Sequence, residues 1–260
     1  GSQHPLRREA FVGKLLEKLR RAVRTEAPRP LGFGRVPADH GRVPPIVLIG
    51  RLDAWDLDLV GRLQAAGIDT LIFPGGEAPP EGEALADLTW GVELPGTPTA
   101  EVVGRYFEAG ADFVLLEPSA PAELLGPDGS RYLRLTPDFP DGLLRSLDLL
   151  PVEGFCLQAP AAAEALTVSD LMVFLRFAAV SRKPVLYEVR GLPTPAQLPA
   201  LRDAGVVGLV VPAAADNLGA LGDLKEAVDK LPRRRTAGAE QPVVTVPPPA
   251  APKPDEDEGE

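Results

Sequence analysis

The stretch Ala109-Gly110-Ala111-Asp112-Phe113-Val114-Leu115-Leu116-Glu117-Pro118 has the pattern of a helix end that leads directly into a buried strand. Gly110 suits the left-handed position that stops a helix. The continuous apolar run from Phe113 to Leu116 is typical of a strand that is covered on both faces, as in parallel sheets. Pro118 cannot donate to a strand ladder, so the strand is expected to end before it.

The same organisation recurs along the chain. Related helix ends occur at Ala66-Gly67-Ile68-Asp69 and at Ala204-Gly205-Val206-Val207. Eight apolar runs are predicted to be strands: Ile46–Gly50, Thr70–Phe73, Leu88–Glu93, Phe113–Glu117, Tyr132–Leu135, Gly154–Gln158, Val185–Val189 and Gly208–Val211. Predicted helices lie between many of them: Asp56–Ala66, Thr99–Ala109, Gly142–Leu149, Val168–Val180, Pro195–Ala204 and Leu218–Leu231. The links after strands two and four are less clearly helical.

Eight strand–helix units in about 190 residues predict an α/β protein in which a parallel sheet closes into a single (βα)₈ barrel. Prolines follow six of the predicted strands, namely Pro74, Pro95, Pro118, Pro137, Pro160 and Pro212. Because proline fixes φ, the loops at the carboxyl ends of the strands are expected to be stiff.

Three further segments flank the predicted barrel at 46–232. Residues 1–26 are basic, and their apolar positions have helical spacing from about 6 to 25. We expect this amphipathic helix to close the lower mouth of the barrel or to pack on the outer helices; the alternatives are an anionic membrane surface or a partner helix. Residues 27–45 form a Pro/Gly-rich connector, and the proline-rich, acidic segment 233–260 is predicted to be a disordered tail and a candidate docking peptide.

The Ala-Gly-x-Asp-strand units resemble those of aldolase-type and ribulose-phosphate-binding TIM barrels, including flavin-linked relatives, over residues 46–231. The resemblance implies the fold. Those families carry glycine-rich phosphate-binding loops after strands seven and eight. The corresponding segments here are Glu188-Val189-Arg190-Gly191-Leu192-Pro193 and Pro212-Ala213-Ala214-Ala215-Asp216-Asn217, with one glycine between them. This departure from the family pattern weakens the expectation of phosphate binding.

Composition excludes several kinds of chemistry. Cys156 is the only cysteine, so no disulfide or cysteine-based zinc site can form within the chain. The two histidines, His4 and His40, precede the first strand, and no lysine ends a strand, which disfavours histidine base catalysis and Schiff-base chemistry. A net charge of −10 disfavours nucleic-acid binding. Abundant proline with little Asn and Met indicates a thermophile or, equally, a GC-rich genome.

Function in such barrels lies at the carboxyl ends of the strands. Polar residues at these ends are Arg51, Asp53, Glu93, Glu117, Ser119, Thr136, Asp138, Gln158, Glu188, Arg190, Asp216 and Asn217. Glu93 and Glu117 end neighbouring strands about 5 Å apart, which makes them candidates for an acid/base pair or a Mg²⁺ site. The alternative is that each one caps loop amides or pairs with an arginine.

Arg51, Arg190 and Asp216 form a second candidate set, because strands one, seven and eight are neighbours in a closed barrel. The two arginines are expected to clamp an anionic substrate, or else to belong to a rim of salt bridges. Cys156 lies inside a strand and is expected to be a small buried side chain.

Two functions remain open. The absent histidine, lysine and phosphate-binding loop favour a catalytically degenerate barrel that acts as a scaffold, with partners bound through the N-terminal helix or the tail. The alternative is an enzyme or binder of a small anionic metabolite that uses the strand-end carboxylates and arginines, so catalytic activity stays undecided. No long apolar run is present, and a cytoplasmic location is expected. The chain begins Gly1-Ser2 without Met, which leaves room for a native leader ahead of it.

Overall fold

The structure, a computed structural model, describes residues 13–23, 43–68, 70–76, 79, 85–126, 128–160 and 166–232. The elements in chain order are α1 (Lys14–Val23), β1 (Val47–Arg51), α2 (Leu57–Ala65), β2 (Thr70–Pro74), β3 (Thr89–Leu94), α3 (Ala100–Glu108), β4 (Phe113–Leu116), a 3₁₀ turn (Ala122–Leu124), β5 (Ser130–Leu135), α4 (Asp141–Leu144), a second 3₁₀ turn (Leu147–Leu149), β6 (Gly154–Gln158), α5 (Val168–Ala178), β7 (Val185–Glu188), α6 (Leu198–Ala204), β8 (Gly208–Pro212) and α7 (Leu218–Lys230).

The eight strands form a closed, fully parallel barrel in sequence order. Closure is made by β1 and β8, which pair from Val47 opposite Gly208 to Arg51 opposite Pro212. All eight strands predicted from the sequence are confirmed within two residues at each end. The prediction succeeded because both faces of each strand are covered, which requires the continuous apolar runs.

Side-chain caps and glycines delimit the outer helices. Asp56 and Thr99 accept hydrogen bonds from the backbone N–H groups of the first turns of α2 and α3, and Thr167 forms a reciprocal capping box with Asp170 at α5. Gly110, with φ of 95°, follows α3 in the left-handed conformation that the sequence predicted.

Two apolar cores follow from the barrel geometry. The larger core lies between the outward-facing strand residues and the helices, and it includes Trp90, Phe155 and Tyr187. The smaller core fills the lower barrel interior with Ile49, Ile72, Phe113, Leu115, Tyr132, Cys156, Leu186 and Val210. The barrel is therefore packed in its lower half.

Helix α1 packs across the amino-terminal mouth of the barrel. Leu15 and Leu19 are fully buried and belong to the smaller core. The Asp112 carboxylate, just before β4, accepts hydrogen bonds from the backbone N–H groups of Lys14 at 2.7 Å and Leu15 at 2.9 Å. This carboxylate caps the helix from the barrel itself. Within the described part of this helix, Leu15, Leu16, Leu19 and Ala22 are therefore buried against the barrel, whereas Val23 is exposed.

Some predicted boundaries differ from the structure or fall outside it. The helix predicted over 6–25 is described only as Lys14–Val23, and the connector and tail lie outside the described residues except for 43–45. The helix predicted over Gly142–Leu149 is wrong in its continuity, because Asp141–Leu144 and Leu147–Leu149 are separate short turns. Within the described ranges, each helix is too short or too polar to span a bilayer.

Candidate functional site

Four charged side chains meet inside the barrel at the carboxyl ends of the odd-numbered strands. They are Arg51 of β1, Glu93 of β3, Arg134 of β5 and Glu188 of β7. In (βα)₈ barrels, four residues from alternate strands form one interior layer, and that layer is usually made of branched aliphatic side chains. Here the layer consists of two arginines and two glutamates, which we call the charge ring.

The charges alternate around the ring, and each neighbouring pair is in contact. The Arg51 Nε atom lies 3.1 Å from Glu93 Oε2 and 3.7 Å from Glu188 Oε1. Arg134 donates from Nη1 to Glu93 and from Nη2 to Glu188, the latter at 2.8 Å. A closed circuit of ion pairs therefore spans the barrel, and its formal charge is zero.

The ring is mostly enclosed but has one accessible member. The side chains of Glu93, Arg134 and Glu188 are 13–14% exposed, whereas that of Arg51 is 34% exposed. Arg51 also lies 3.6 Å from Asp53, whose side chain is almost fully exposed at the rim. Arg51 is thus the guanidinium through which solvent, or a ligand above the strand ends, reaches the ring.

Electrostatic interactions keep Arg134 in its charged form. Burial works to lower the pKa of Arg134, but the hydrogen bond to Glu188 and the negative charges of Glu188 and Glu93 outweigh it, so the pKa is raised above its usual value. Arg134 therefore stays protonated wherever the protein is folded.

Two side chains of β6, Gln158 and Cys156, lie next to ring residues. Gln158 of β6, with its amide oxygen turned toward Arg134, accepts a hydrogen bond from Arg134 Nε at 3.1 Å. The Cys156 Sγ atom is 4.0 Å from Glu188 Oε2 and is fully buried. Burial, reinforced by Glu188, raises the pKa of this thiol well above its usual value, so it is not a thiolate nucleophile.

Glu93 and Glu117 have different partners. Both oxygens of Glu93 face guanidinium groups. Glu117 lies above β4, where its Oε2 atom accepts from the backbone N–H of Gly96 at 3.3 Å and from the Ser119 hydroxyl at 3.4 Å. A divalent cation at Glu93 would compete with two guanidinium groups. The described residues contain no group of three or more His, Cys, Asp or Glu side chains arranged to hold a metal ion.

Arg51 is in the ring, but the other two members of its predicted set lie elsewhere. Arg190 is exposed after β7, and Asp216 is exposed after β8. Within the described part of the chain, neither side chain forms an ion pair with a ring residue. The guanidinium that shares the carboxylates of Glu93 and Glu188 with Arg51 is that of Arg134, which comes from the opposite side of the barrel.

Arg134 was missed by sequence reasoning, and Glu188 was counted among strand-end residues without a role. The sequence does hold a signal for Arg134. In β5, Ser130, Tyr132 and Arg134 alternate with Arg131 and Leu133, and side chains two apart share a face of a strand. The same rule, applied to Arg51, Glu93 and Glu188, places all four charges in one layer.

Comparison with known proteins shows the fold. No protein-family model and no curated protein sequence matches this chain. Among solved structures, 3-keto-L-gulonate-6-phosphate decarboxylase from Vibrio cholerae is similar, with a TM-score of 0.55 and 14% identity over 73% of this chain and 100% of its own.

Two further structures are similar to the same extent. For 3-hexulose-6-phosphate synthase the TM-score is 0.50, with 18% identity over 70% of this chain and 99% of that one. For a mutant tryptophan synthase α-subunit from Pyrococcus furiosus the TM-score is 0.51, with 17% identity over 71% of this chain and 97% of that one. The chain thus shares the TIM-barrel fold of these three proteins, as its repeated Ala-Gly-x-Asp-strand units indicated.

Proposed function

We propose that this protein is a TIM-barrel binder or enzyme of a small anionic metabolite, with the charge ring as the floor of its site. The observation that carries the proposal is the replacement of an aliphatic layer by Arg51, Glu93, Arg134 and Glu188. Four enclosed charges are commonly no more stabilising than well-packed hydrophobic residues of similar volume. A layer retained in this form is therefore better explained by a ligand than by stability.

Arg51 is the anion-binding group in this proposal. Its side chain is the most exposed of the four, and its contact with Glu188 is the longest in the ring at 3.7 Å. A ligand carboxylate can take a bidentate position on the outward edge of this guanidinium. Asp53, at the rim, then becomes the group that a ligand anion must displace from Arg51.

The two glutamates are the proton-handling groups. When an anion draws Arg51 outward, Glu93 Oε2 loses its Arg51 partner and becomes available to a ligand group. Glu93 would then accept a proton from a ligand group that lies above the ring. Glu188 keeps two hydrogen bonds from Arg134, so the two carboxylates differ in role.

The test is ligand screening on the full chain by thermal shift, with panels of mono- and dicarboxylates and of sugar phosphates. A hit is then titrated calorimetrically against Arg51→Gln and Glu93→Gln, at a temperature where circular dichroism shows each variant folded. We expect at least tenfold weaker binding in both, equivalent to about 1.4 kcal/mol. Glu117→Gln, outside the ring, is the control and should bind normally. Binding unchanged in Arg51→Gln would refute the proposal.

A second candidate is a scaffold protein, and a different observation favours it. Helix α5 exposes Val168, Met172 and Leu175 at 75%, 65% and 45%, and these positions share one helix face. Leu143 and Leu149, before β6, are exposed at 53% and 85%. Exposed apolar side chains grouped on one side are typical of protein-binding surfaces. In this alternative the neutral ring is structural, and binding partners contact α5 or the predicted N-terminal and tail segments.

The scaffold alternative is tested with Met172→Glu and with chains lacking 1–12 or 233–260, by quantitative cross-linking in a native lysate. The scaffold would be supported over the metabolite site if a partner that cross-links to the parent chain is lost in one of these variants and the metabolite screen finds no ligand. Unchanged cross-links in all three would remove it.

A further inference from the structure

A separate cavity of about 110 Å³ lies on the outer side of β7, between the start of α5 and the segment that links β7 to α6. The residues that matter for its chemistry are Leu166, Asp170, Tyr187, Arg190, Leu192 and Gln197. Tyr187 and Glu188 are consecutive in β7, so their side chains leave opposite faces of the strand. The cavity is thus outside the barrel, whereas the charge ring is inside it.

The Tyr187 hydroxyl is the unusual group in this cavity. The residue is fully buried, and its ring packs edge-on against Phe174 with centroids 5.5 Å apart. Its hydroxyl has no hydrogen-bond partner among the described residues. A buried polar group is normally paired, because leaving it unpaired is costly. Burial, with a contribution from Asp170, raises the pKa of Tyr187 above its usual value, so the hydroxyl is a neutral donor.

The other polar groups of the cavity are either already bonded or charged. Gln197 accepts from the Thr194 N–H at 2.8 Å and donates to the Leu166 carbonyl at 3.4 Å. Asp170 is 4% exposed and accepts from the Thr167 N–H and hydroxyl, both at 2.7 Å. Arg190, by contrast, is exposed and forms no ion pair with any residue that the structure describes. The groups left for a ligand are the exposed Arg190 guanidinium and the Tyr187 hydroxyl, which is closed to solvent and which a ligand would contact only after the side chains around it shift.

We propose that this cavity binds a short-chain hydroxycarboxylate, with its hydroxyl on Tyr187 and its carboxylate on Arg190. A phenol donor requires an acceptor, and a guanidinium is the preferred partner of a carboxylate. The negative charge of Asp170 disfavours a second carboxylate in the cavity. Leu166 and Leu192 provide an apolar wall for a short carbon chain, and the volume, comparable to three or four water molecules, limits its length.

The test is an NMR titration of the full chain, labelled with ¹⁵N, against lactate. Two probes each lack one of the recognised groups: propionate has no hydroxyl, and propane-1,2-diol has no carboxylate. We expect lactate to shift the amide signals of Gly191, Leu192 and Gln197, and both partial probes to bind about tenfold more weakly. No shift with lactate at tens of millimolar, or equal binding of all three probes, would overturn the proposal.

Two matched tyrosine variants test whether lactate contacts the Tyr187 hydroxyl. Tyr187→Phe removes the hydroxyl in the cavity, and lactate binding should weaken about tenfold. Tyr132→Phe also removes a buried hydroxyl that has no described partner, but in the lower barrel interior, so lactate binding should be unchanged. Arg190→Gln tests the carboxylate end and should reduce lactate to the affinity of the diol.

This site and the proposed function fail independently. Lactate binding that is lost in Arg51→Gln and kept in Tyr187→Phe would place the ligand at the charge ring, which overturns the cavity proposal while supporting the ring. The reverse pattern supports the cavity alone.

Discussion

Arg134 binds both carboxylate oxygens of Glu188, with Nε 3.1 Å from Oε2 and Nη2 2.8 Å from Oε1. This parallel geometry is the strongest form of an arginine–carboxylate pair. Both side chains are only 13–14% exposed, so solvent screens the pair less than it screens surface ion pairs. The pair is therefore the better enclosed part of the charge ring, and the more exposed Arg51 is the member that we propose a ligand contacts.

Breaking this pair is expected to be costly. Glu188→Gln removes one of the two carboxylates that pair with Arg134 in this enclosed layer. We therefore expect the free energy of unfolding in urea to fall by about 3 kcal/mol. A double-mutant cycle with Arg134→Met should give a coupling energy of about 1–3 kcal/mol.

The exposed pair of Lys225 and Asp229 on α7 provides the control for that cycle. Its side chains are 27% and 46% exposed, and its members are one helical turn apart. The corresponding cycle should give no more than about 0.5 kcal/mol. Equal coupling for the two pairs would mean that the charge ring is solvated like the surface.

The barrel could be predicted from the sequence because its signals are local. Each unit, such as Ala109 to Pro118, specifies a helix end, a strand and a strand end within ten residues. The ring could be predicted only in part, since its members are separated by about forty residues or more and meet only when alternate strands point inward together. Because Glu93 and Glu117 end neighbouring strands, the sequence suggested that they form a pair. The side chains of one interior layer come from every second strand, however, so Glu93 contacts Arg51 and Arg134 instead.

The position of helix α1 illustrates the same limit. Its amphipathic pattern predicted a helix, but the apolar face of that helix could equally be buried against the barrel, a membrane or a partner helix. The choice depends on Asp112, which is almost a hundred residues away in sequence and caps the helix from the start of β4. Non-local contacts of this kind leave no periodic signal in a single sequence.

Helix α1 is expected to stabilise the barrel as an integral part of its core. Leu19 is fully buried with the smaller core, so Leu19→Ala should lower the free energy of unfolding by about 2–5 kcal/mol. Val23, on the same helix, is 59% exposed, and Val23→Ala should change the free energy of unfolding by less than about 0.5 kcal/mol. Urea unfolding measures both. If the two substitutions had similar small effects, the helix would not be packed in the mouth of the barrel.

Gly91 has a steric role inside the barrel. A Cβ atom at this position would lie 2.4 Å from a carbon of the Phe113 ring, which belongs to the smaller core. Gly91→Ala should therefore destabilise the protein by about 1–3 kcal/mol through overpacking. Gly61, within α2, has no atom within 4 Å of the same position, and Gly61→Ala should instead stabilise by about 0.5–1 kcal/mol. The midpoint temperature of thermal unfolding should thus fall in Gly91→Ala and rise in Gly61→Ala. A shift of both midpoints in the same direction would contradict this packing.

Asp148 connects the second 3₁₀ turn to the segment that precedes β7. Its carboxylate accepts from the Ser181 hydroxyl at 2.9 Å and from the Arg182 N–H at 3.0 Å. Partial burial works to raise the pKa of Asp148, but these hydrogen bonds and the Lys183 charge outweigh it, so the pKa is below the usual value.

A carboxyl group whose pKa is lower in the folded than in the unfolded state stabilises the fold above its unfolded pKa, and this contribution is lost as the pH falls through the folded pKa. Asp148→Asn should therefore reduce the free energy of unfolding by about 1 kcal/mol at pH 7, and the difference from the parent should shrink below about pH 4. Asp216→Asn, at an exposed position, is the control, and its free energy of unfolding at pH 7 should lie within about 0.5 kcal/mol of the parent. Urea unfolding at several pH values measures this. A difference at Asp148 that stays constant from pH 7 to pH 3 would show that the hydrogen bonds do not depend on its charge.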